Sequence, residues 1–292
     1  MADDLAMPPK VACREIGPGT IQAAELLLNE GFPERSAAFW SRTLFRLAAR
    51  RTPFGYPRFG YMLMCGDTPV GCILTIFSDG AGAANAPIRC NLAAFYTRPA
   101  YRPYATLLTL RALRHRDVTY LNVSPRANTF ALLQAQGYQR YCEGTLLIAP
   151  ALLPPKPDTN ISAFDAKADG TSGLSEAERQ LLLDHAELGC LSLVCRGPEG
   201  ASPFVFQRRR VLKRLLPASQ LLYCRSVEDF VARAGNLGRY LALRGAPLVL
   251  VDTDGPMPAL SGRLLNLPKY YKGPVRPRLG DLSYTELPIL GI

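Results

Sequence analysis

The residue types best suited to chemistry lie in one run: Ile88-Arg-Cys-Asn91-Leu-Ala-Ala-Phe95-Tyr96-Thr97-Arg-Pro99-Ala-Tyr101-Arg102-Pro103-Tyr104-Ala105-Thr106-Leu107-Leu108. The pattern predicts a strand that breaks at Pro99, a tight basic turn, and a helix opened by Pro103, whose fixed φ suits a first helical position. A helix N-terminus carries N–H groups without intrahelical partners and about half a positive charge, so it attracts phosphate oxygens. Arg102, in the turn, adds a guanidinium whose fork fits charge-assisted contacts to phosphate. The chemistry implied is capture of an organic phosphate at a strand-to-helix turn.

Other candidates carry less. Asp79-Gly80-Ala-Gly82-Ala-Ala approaches a glycine-rich phosphate loop but ends in Asn85 and opens no helix, so it reads as a hairpin loop. Arg208-Arg209-Arg210 with Lys213-Arg214 is the densest basic cluster, and it reads as a solvated helix face. Nucleic-acid binding would need an aromatic platform or a recognition motif beside it, and neither is present. Asp252-Thr-Asp254-Gly255 could ligate a divalent cation, although an Asp-Gly turn explains it as well. The two histidines, His115 and His185, read as structural, and no Gly-x-Ser-x-Gly elbow accompanies them.

The elements that must position the turn alternate strand and helix. Val11–Ile16 reads as a strand. Thr20 can cap a helix from Ile21, and Ser36 a second that ends at Arg50-Arg51. Phe59–Cys65 and Val70–Phe77 form a hairpin across Gly66-Asp-Thr-Pro69. Strands over Ile88–Tyr96, Val118–Val123 and Gly144–Ile148 enclose helices from Pro103 and over Asn128–Gln136. A Pro-rich break, Pro150 to Asp158, then leads into a polar stretch ending at Gly173, so a linker over 151–173 separates domains at 1–150 and 174–292. The second half echoes the first. A capping box (Ser175 with Glu178) opens a helix, and Leu191–Arg196 and Phe204–Gln207 flank a turn. Gln220–Cys224, a helix over Val227–Leu243 and Leu248–Val251 follow. The run from Pro268 to Glu286 mixes cations, aromatics and turn formers, suited equally to wrapping a cleft or to a β-meander.

Composition bounds the class. The chain has 292 residues, 48% of them hydrophobic and 20% charged, which is enough apolar surface for a sizeable core. Of 34 cations only six are Lys, leaving 28 Arg, and the formal charge is +10. Residues 1–150 carry +6 and residues 151–292 carry +4, so neither half is a basic tail. The longest uncharged stretch, Ala127–Gln139, is short of the roughly 20 apolar residues a membrane helix needs. The acidic start, Met1-Ala2-Asp3-Asp4, is unlike a signal peptide, and eight Cys without a C-x-x-C argue for buried thiols. The expectation is a reduced, cytoplasmic protein with no metal and no membrane contact.

The run through residue 102 resembles the acyl-CoA motif of the GCN5-related N-acetyltransferases, roughly Val-x-Pro-x-Tyr-Arg-Gly-x-Gly-x-Gly. Pro99-x-Tyr101-Arg102 matches, while Pro103, Ala105 and Leu107 replace the three glycines. Gly137-Tyr138 after the helix matches the Gly-Phe that ends the family's second motif. The resemblance spans residues ~10–150 in element order, is specific over about twenty of them, and implies a mixed α/β fold, in tandem if the second half is a degenerate copy. It also implies transfer of an acyl group from acetyl-CoA or another acyl-CoA to an amine or hydroxyl of a small molecule. Asn91, Phe95, Tyr96 and Thr97 would line the acyl arm. Arg102, Pro103, Tyr104, Ala105, Thr106 and Leu107 would face the phosphates. Two departures bear on chemistry: Pro103 removes an N–H donor, and Leu133 stands where the family often has a Tyr acid. Ser124, at the end of the fifth strand, is the replacement proton donor, unless Ser124-Pro125 only turns the chain. The alternative is a protein that kept the fold for ligand binding or regulation and lost the chemistry.

Overall fold

The computed structural model describes residues 10–80, 87–166, 173–211 and 215–292. The glycine-rich stretch 81–86, the polar stretch 167–172 and Lys213-Arg214 lie outside the described residues. The chain forms two compact units, residues 1–78 with 88–120, and residues 79–87 with 121–292.

In the first unit, β1 (Val11–Glu15) is followed by helices α1 (Ile21–Gly31) and α2 (Ala37–Ala49). Ser36 caps α2, its hydroxyl accepting from the Phe39 N–H at 3.3 Å. Strands β2 (Gly60–Cys65), β3 (Thr68–Ser78) and β4 (Arg89–Thr97) then build an antiparallel ladder with β1. Nearly every residue of β2 and β3 is buried, as expected for strands covered on both faces. A short 3-10 helix (Pro99–Tyr104) runs straight into α3 (Ala105–Ala112), and β5 (Thr119–Asn122) follows. Leu108 and Ala112 of α3 pack on Tyr61, Leu63, Val70 and Ile73, which ties the helix to the sheet.

The second unit holds α4 (Phe130–Ala135), β6 (Gln139–Cys142), β7 (Gly144–Ile148), β8 (Asn160–Ala163), α5 (Glu176–Glu187), β9 (Leu191–Gly197) and β10 (Gly200–Val211). It continues through β11 (Leu216–Tyr223), α6 (Val227–Ala242), β12 (Leu248–Thr253), β13 (Gly262–Leu265) and β14 (Lys269–Lys272), and ends in a short π-type turn (Leu287–Gly291). The capping box of Ser175 and Glu178 forms as the spacing requires. The stretch Pro150–Gly173 contributes β8, which pairs with β9 at the edge of a sheet. Arg208, Arg209 and Arg210 lie on β10, opposite Ser219, Ala218 and Pro217, and not on a helix. Arg has good helix propensity, but that preference is weak, and the hairpin with β11 overrides it.

The two seven-stranded sheets share one order: β1-β2-β3-β4-β5-β14-β6 and β8-β9-β10-β11-β12-β7-β13. β5 runs across the division between the units. Each sheet takes its sixth strand from the other half of the sequence, β14 for the first and β7 for the second. A buried ion pair holds the exchanged strands in register. Lys269 Nζ (β14) donates to Asp252 Oδ1 (β12) at 2.7 Å, and Thr145 Oγ1 (β7) donates to the same oxygen at 3.0 Å. With that partner, Asp252 stands in a structural pair, and no group of three or more His, Cys, Asp or Glu among the described residues could hold a metal ion. No disulfide joins the cysteines. No helix among the described residues is long and apolar enough to cross a membrane.

Candidate functional site

In the first unit the segment singled out by its residue types begins with a bulge. Ala93 pairs with Leu74 and Tyr96 with Cys72, so Ala94 and Phe95 together oppose Ile73. Ala94 has φ +46°, in the left-handed region that a non-glycine residue occupies at a cost. A bulge takes a residue out of ladder pairing and bends the strand, leaving backbone groups aimed away from β3. Phe95 is 44% exposed at this point.

The next residues are fastened to α1. Tyr96 Oη donates to Glu30 Oε1 at 2.9 Å, and Arg98 reaches both Glu30 oxygens, at 3.1 and 3.0 Å through Nε. The Arg98 guanidinium holds the Glu30 carboxyl below the usual range, and burial raises the Tyr96 phenol, helped by its bond to Glu30. Gly31 ends α1 beneath the ring: a Cβ there would sit 2.3 Å from Tyr96 Cγ. Neither Glu30 nor Gly31 stands out in the sequence.

The helix begins earlier than the sequence suggests. Tyr101 N–H donates to Arg98 O, Ala105 N–H donates to Arg102 O, and Pro103 lies inside the 3-10 helix instead of at a helix start. A residue before Pro is disfavoured in the α region, and here the residue before Pro103, Arg102, lies in the 3-10 turn and not in the α-helix that follows. Arg102, Pro103, Thr106 and Leu107 are exposed, whereas Tyr104 and Ala105 are half-buried, with Tyr104 packed against the core beneath α3. Arg102 stands close enough to Tyr96 to oppose the rise in its pKa. The bulge, Tyr96, Arg98 and Arg102 thus follow one another along the end of β4 and the 3-10 turn. Two residues of the same strand face inward. Asn91 is 1% exposed with Nδ2 donating to the Leu92 carbonyl, and Thr97 is buried.

Ser124 lies in the second unit, two residues beyond β5. It is exposed, and its Oγ donates to Glu286 Oε1 at 2.7 Å. Glu286 is 5% exposed. The corner that carries it is fixed from α5: Tyr284 Oη donates to Asp184 Oδ2 at 2.7 Å, and Tyr284 N–H donates to His185 Nε2 at 3.4 Å. That second bond requires the proton of the neutral imidazole on Nδ1, which faces the Leu181 carbonyl at 2.8 Å. Tyr284 has φ +55°, a strained backbone that these contacts hold in place. Sequence reasoning missed Glu286 because 162 residues separate it from Ser124. Leu133 is buried in α4 and supplies packing in place of a hydroxyl.

No protein-family model and no curated protein matches the chain. Solved structures do. An Anabaena variabilis GCN5-related N-acetyltransferase superposes with TM-score 0.58 at 12% identity, over 90% of this chain and 72% of that one. A Kribbella flavida GCN5-related N-acetyltransferase gives 0.56 at 14% identity, over 90% and 71%. A Pyrococcus horikoshii protein assigned as an acetyltransferase gives 0.55 at 11% identity, over 97% and 96%. The likeness is one of fold: the chain carries the mixed α/β fold of the GCN5-related N-acetyltransferases, and its two sheets repeat one strand order in tandem.

Proposed function

We propose that this chain is an acyltransferase that moves an acyl group, acetyl in the simplest case, from acyl-CoA to an amine or hydroxyl of a small molecule. The observation that carries the reading is the bulge at Ala94 and Phe95 leading without interruption into the Pro99–Ala112 helical segment. In this reading the thioester lies along the bulge, whose displaced N–H groups stabilise the oxyanion of the tetrahedral adduct. Arg102 meets the cofactor phosphates as a charge-assisted partner. The helical run starts at Pro99, so side chains carry more of the phosphate contact here than a glycine turn would require.

Proton transfer falls to Ser124, two residues beyond β5, and to its partner Glu286. The Ser124 proton points at the carboxylate, which leaves the Oγ lone pairs to take a proton from an incoming ammonium while Glu286 takes the hydroxyl proton. The proton taken from the ammonium passes to solvent; attack of the free amine on the thioester carbon then forms C–N, and as C–S breaks the remaining surplus proton on that nitrogen passes through the pair to the departing thiolate. No step needs a metal. Because the hydrogen bond to Glu286 gives Ser124 a chemical partner, it favours this role over a simple chain turn.

The buried Leu133 favours a second reading, a binding protein of the same fold without catalysis. Calorimetric titration with acetyl-CoA, followed by thiol release across a panel of small amines, separates the two. Binding with amine-dependent release supports the transferase, binding without release supports the second reading, and no binding at millimolar acetyl-CoA overturns the transferase.

A further inference from the structure

The arginine run Arg208 to Arg210 has no part in the chemistry above. In the second unit it occupies the last residues of β10, where that strand outruns the helix packed on it. Phe204 and Phe206 share a buried cluster with Phe230, Leu237 and Leu241 of α6. By the period of two along a strand, Arg208 and Arg210 continue the same face. There α6 has already ended, and a groove of about 280 Å³ opens in its place. Its lining is Arg208 to Arg210, Pro217 and Ala218 at the start of β11, and Gly245-Ala246 after the helix. Arg244 precedes that glycine, its guanidinium 3.6 Å from the Tyr240 ring centroid.

Exposed leucines border the groove. Leu215 and Leu216 lead into Pro217, and Leu243 leads into Arg244 and Gly245; they are 74%, 43% and 86% exposed. A single exposed leucine is ordinary, but three beside a groove lined with guanidinium groups make a mixed apolar and cationic edge. The charge has one sign: residues 200–227 and 230–251, which supply β10, β11, most of α6 and the start of β12, contain no Asp or Glu. Glu187 at the end of α5 and Asp165 after β8 belong to elements on the far side of β10 from β11.

We propose that this end of the second sheet docks on an anionic phospholipid bilayer, a headgroup phosphate in the groove between Arg208 and Arg210 and the three leucines in the interface. Charge complementarity selects the partner, and the leucines distinguish it from nucleic acid. Apolar side chains gain by leaving water for acyl chains, whereas a nucleic-acid platform needs open aromatic faces, and Arg244 covers the Tyr240 ring. Cations and apolar groups reinforce one another at such a surface. The expectation of no membrane contact rests on the lack of a spanning segment, which docking on a surface does not require. The proposal stands independently of the acyltransferase reading.

Sedimentation of the full chain with vesicles tests it. Vesicles of phosphatidylglycerol with phosphatidylcholine should carry the chain down at low salt, and vesicles of phosphatidylcholine alone should not. Arg208→Glu with Arg210→Glu, and separately Leu215→Gln with Leu243→Gln, should each lower the partition coefficient about tenfold or more while keeping the wild-type Tm. Leu243→Trp supplies a readout that does not depend on those variants folding: its emission should shift to the blue on adding the phosphatidylglycerol vesicles, while native Trp40, 2% exposed, stays constant. Failure to sediment with phosphatidylglycerol overturns the proposal. So does sedimentation that the leucine pair does not alter, with unshifted Leu243→Trp emission, which would be adsorption of surface cations. Release by millimolar glycerol phosphate would place a free phosphate in the groove and overturn the bilayer as partner. Retention of single-stranded RNA without vesicle binding would assign the arginines to nucleic acid and overturn it as well.

Discussion

Glu286 is buried beside an exposed serine hydroxyl, and a carboxylate so placed is held by its partners or is strongly unfavourable. Here Ser124 supplies the partner, and Asp184 and His185 fix the corner through Tyr284. If the pair handles protons, Ser124→Ala and Glu286→Gln should each lower kcat about a hundredfold, the usual scale for a positioned acid or base, with acetyl-CoA affinity unchanged. An equal loss of affinity and kcat would mean the pair is only structural. Glu30 gives a second test at this scale. Its carboxyl is held low by Arg98, so it contributes stability above the ordinary carboxylate range, and that contribution is lost as pH falls through the depressed value. Glu30→Gln should therefore lower Tm at neutral pH and leave it unchanged in acid, flattening the acid limb of a Tm-against-pH curve, and the change is small because Glu30 and Arg98 are substantially exposed.

Among the elements, the contacts that position the junction depend on residues with no side chain. A Cβ on Gly31 would meet the Tyr96 ring, so Gly31→Ala should destabilise the chain by about 1–3 kcal/mol and weaken acetyl-CoA binding, read by denaturant unfolding and titration. Gly235 and Gly238 of α6 show the same conflict between propensity and packing. Ala favours a helix over Gly by about 1 kcal/mol, yet a Cβ on Gly235 would lie 2.3 Å from Pro154 O. Gly235→Ala should lower the denaturation midpoint despite the better helix former. Local signals were legible in the sequence where the physics is local. The β2–β3 hairpin, the Ser36 cap and the Ser175–Glu178 capping box all follow from spacing within a few residues. The bulge was not legible, because Ala94 is not a residue type that advertises a positive φ. Arg208 to Arg210 misled for a related reason, since a weak helical preference gives no sign of the strand beside it.

Over the whole molecule, the exchange of β7 and β14 could not be read from the sequence. Both are short strands of four or five residues, and nothing in their composition says which sheet they join. The exchange makes each sheet depend on the other half of the sequence, and the buried Lys269–Asp252 pair sits where the exchanged strands meet. Removing one partner leaves an uncompensated buried charge, so Lys269→Met should cost about 3–5 kcal/mol in denaturant unfolding, and adding Asp252→Leu should restore much of it. The net charge of +10 is spread through both halves, and the cofactor-binding part of the functional reading rests on one segment of the first unit. Titration of the wild-type chain and Arg102→Glu with acetyl-CoA tests that reading most directly. The account predicts binding that the substitution weakens about tenfold at low salt, as expected for a lost phosphate contact. Affinity unchanged by Arg102→Glu, or no binding at millimolar acetyl-CoA, would contradict it.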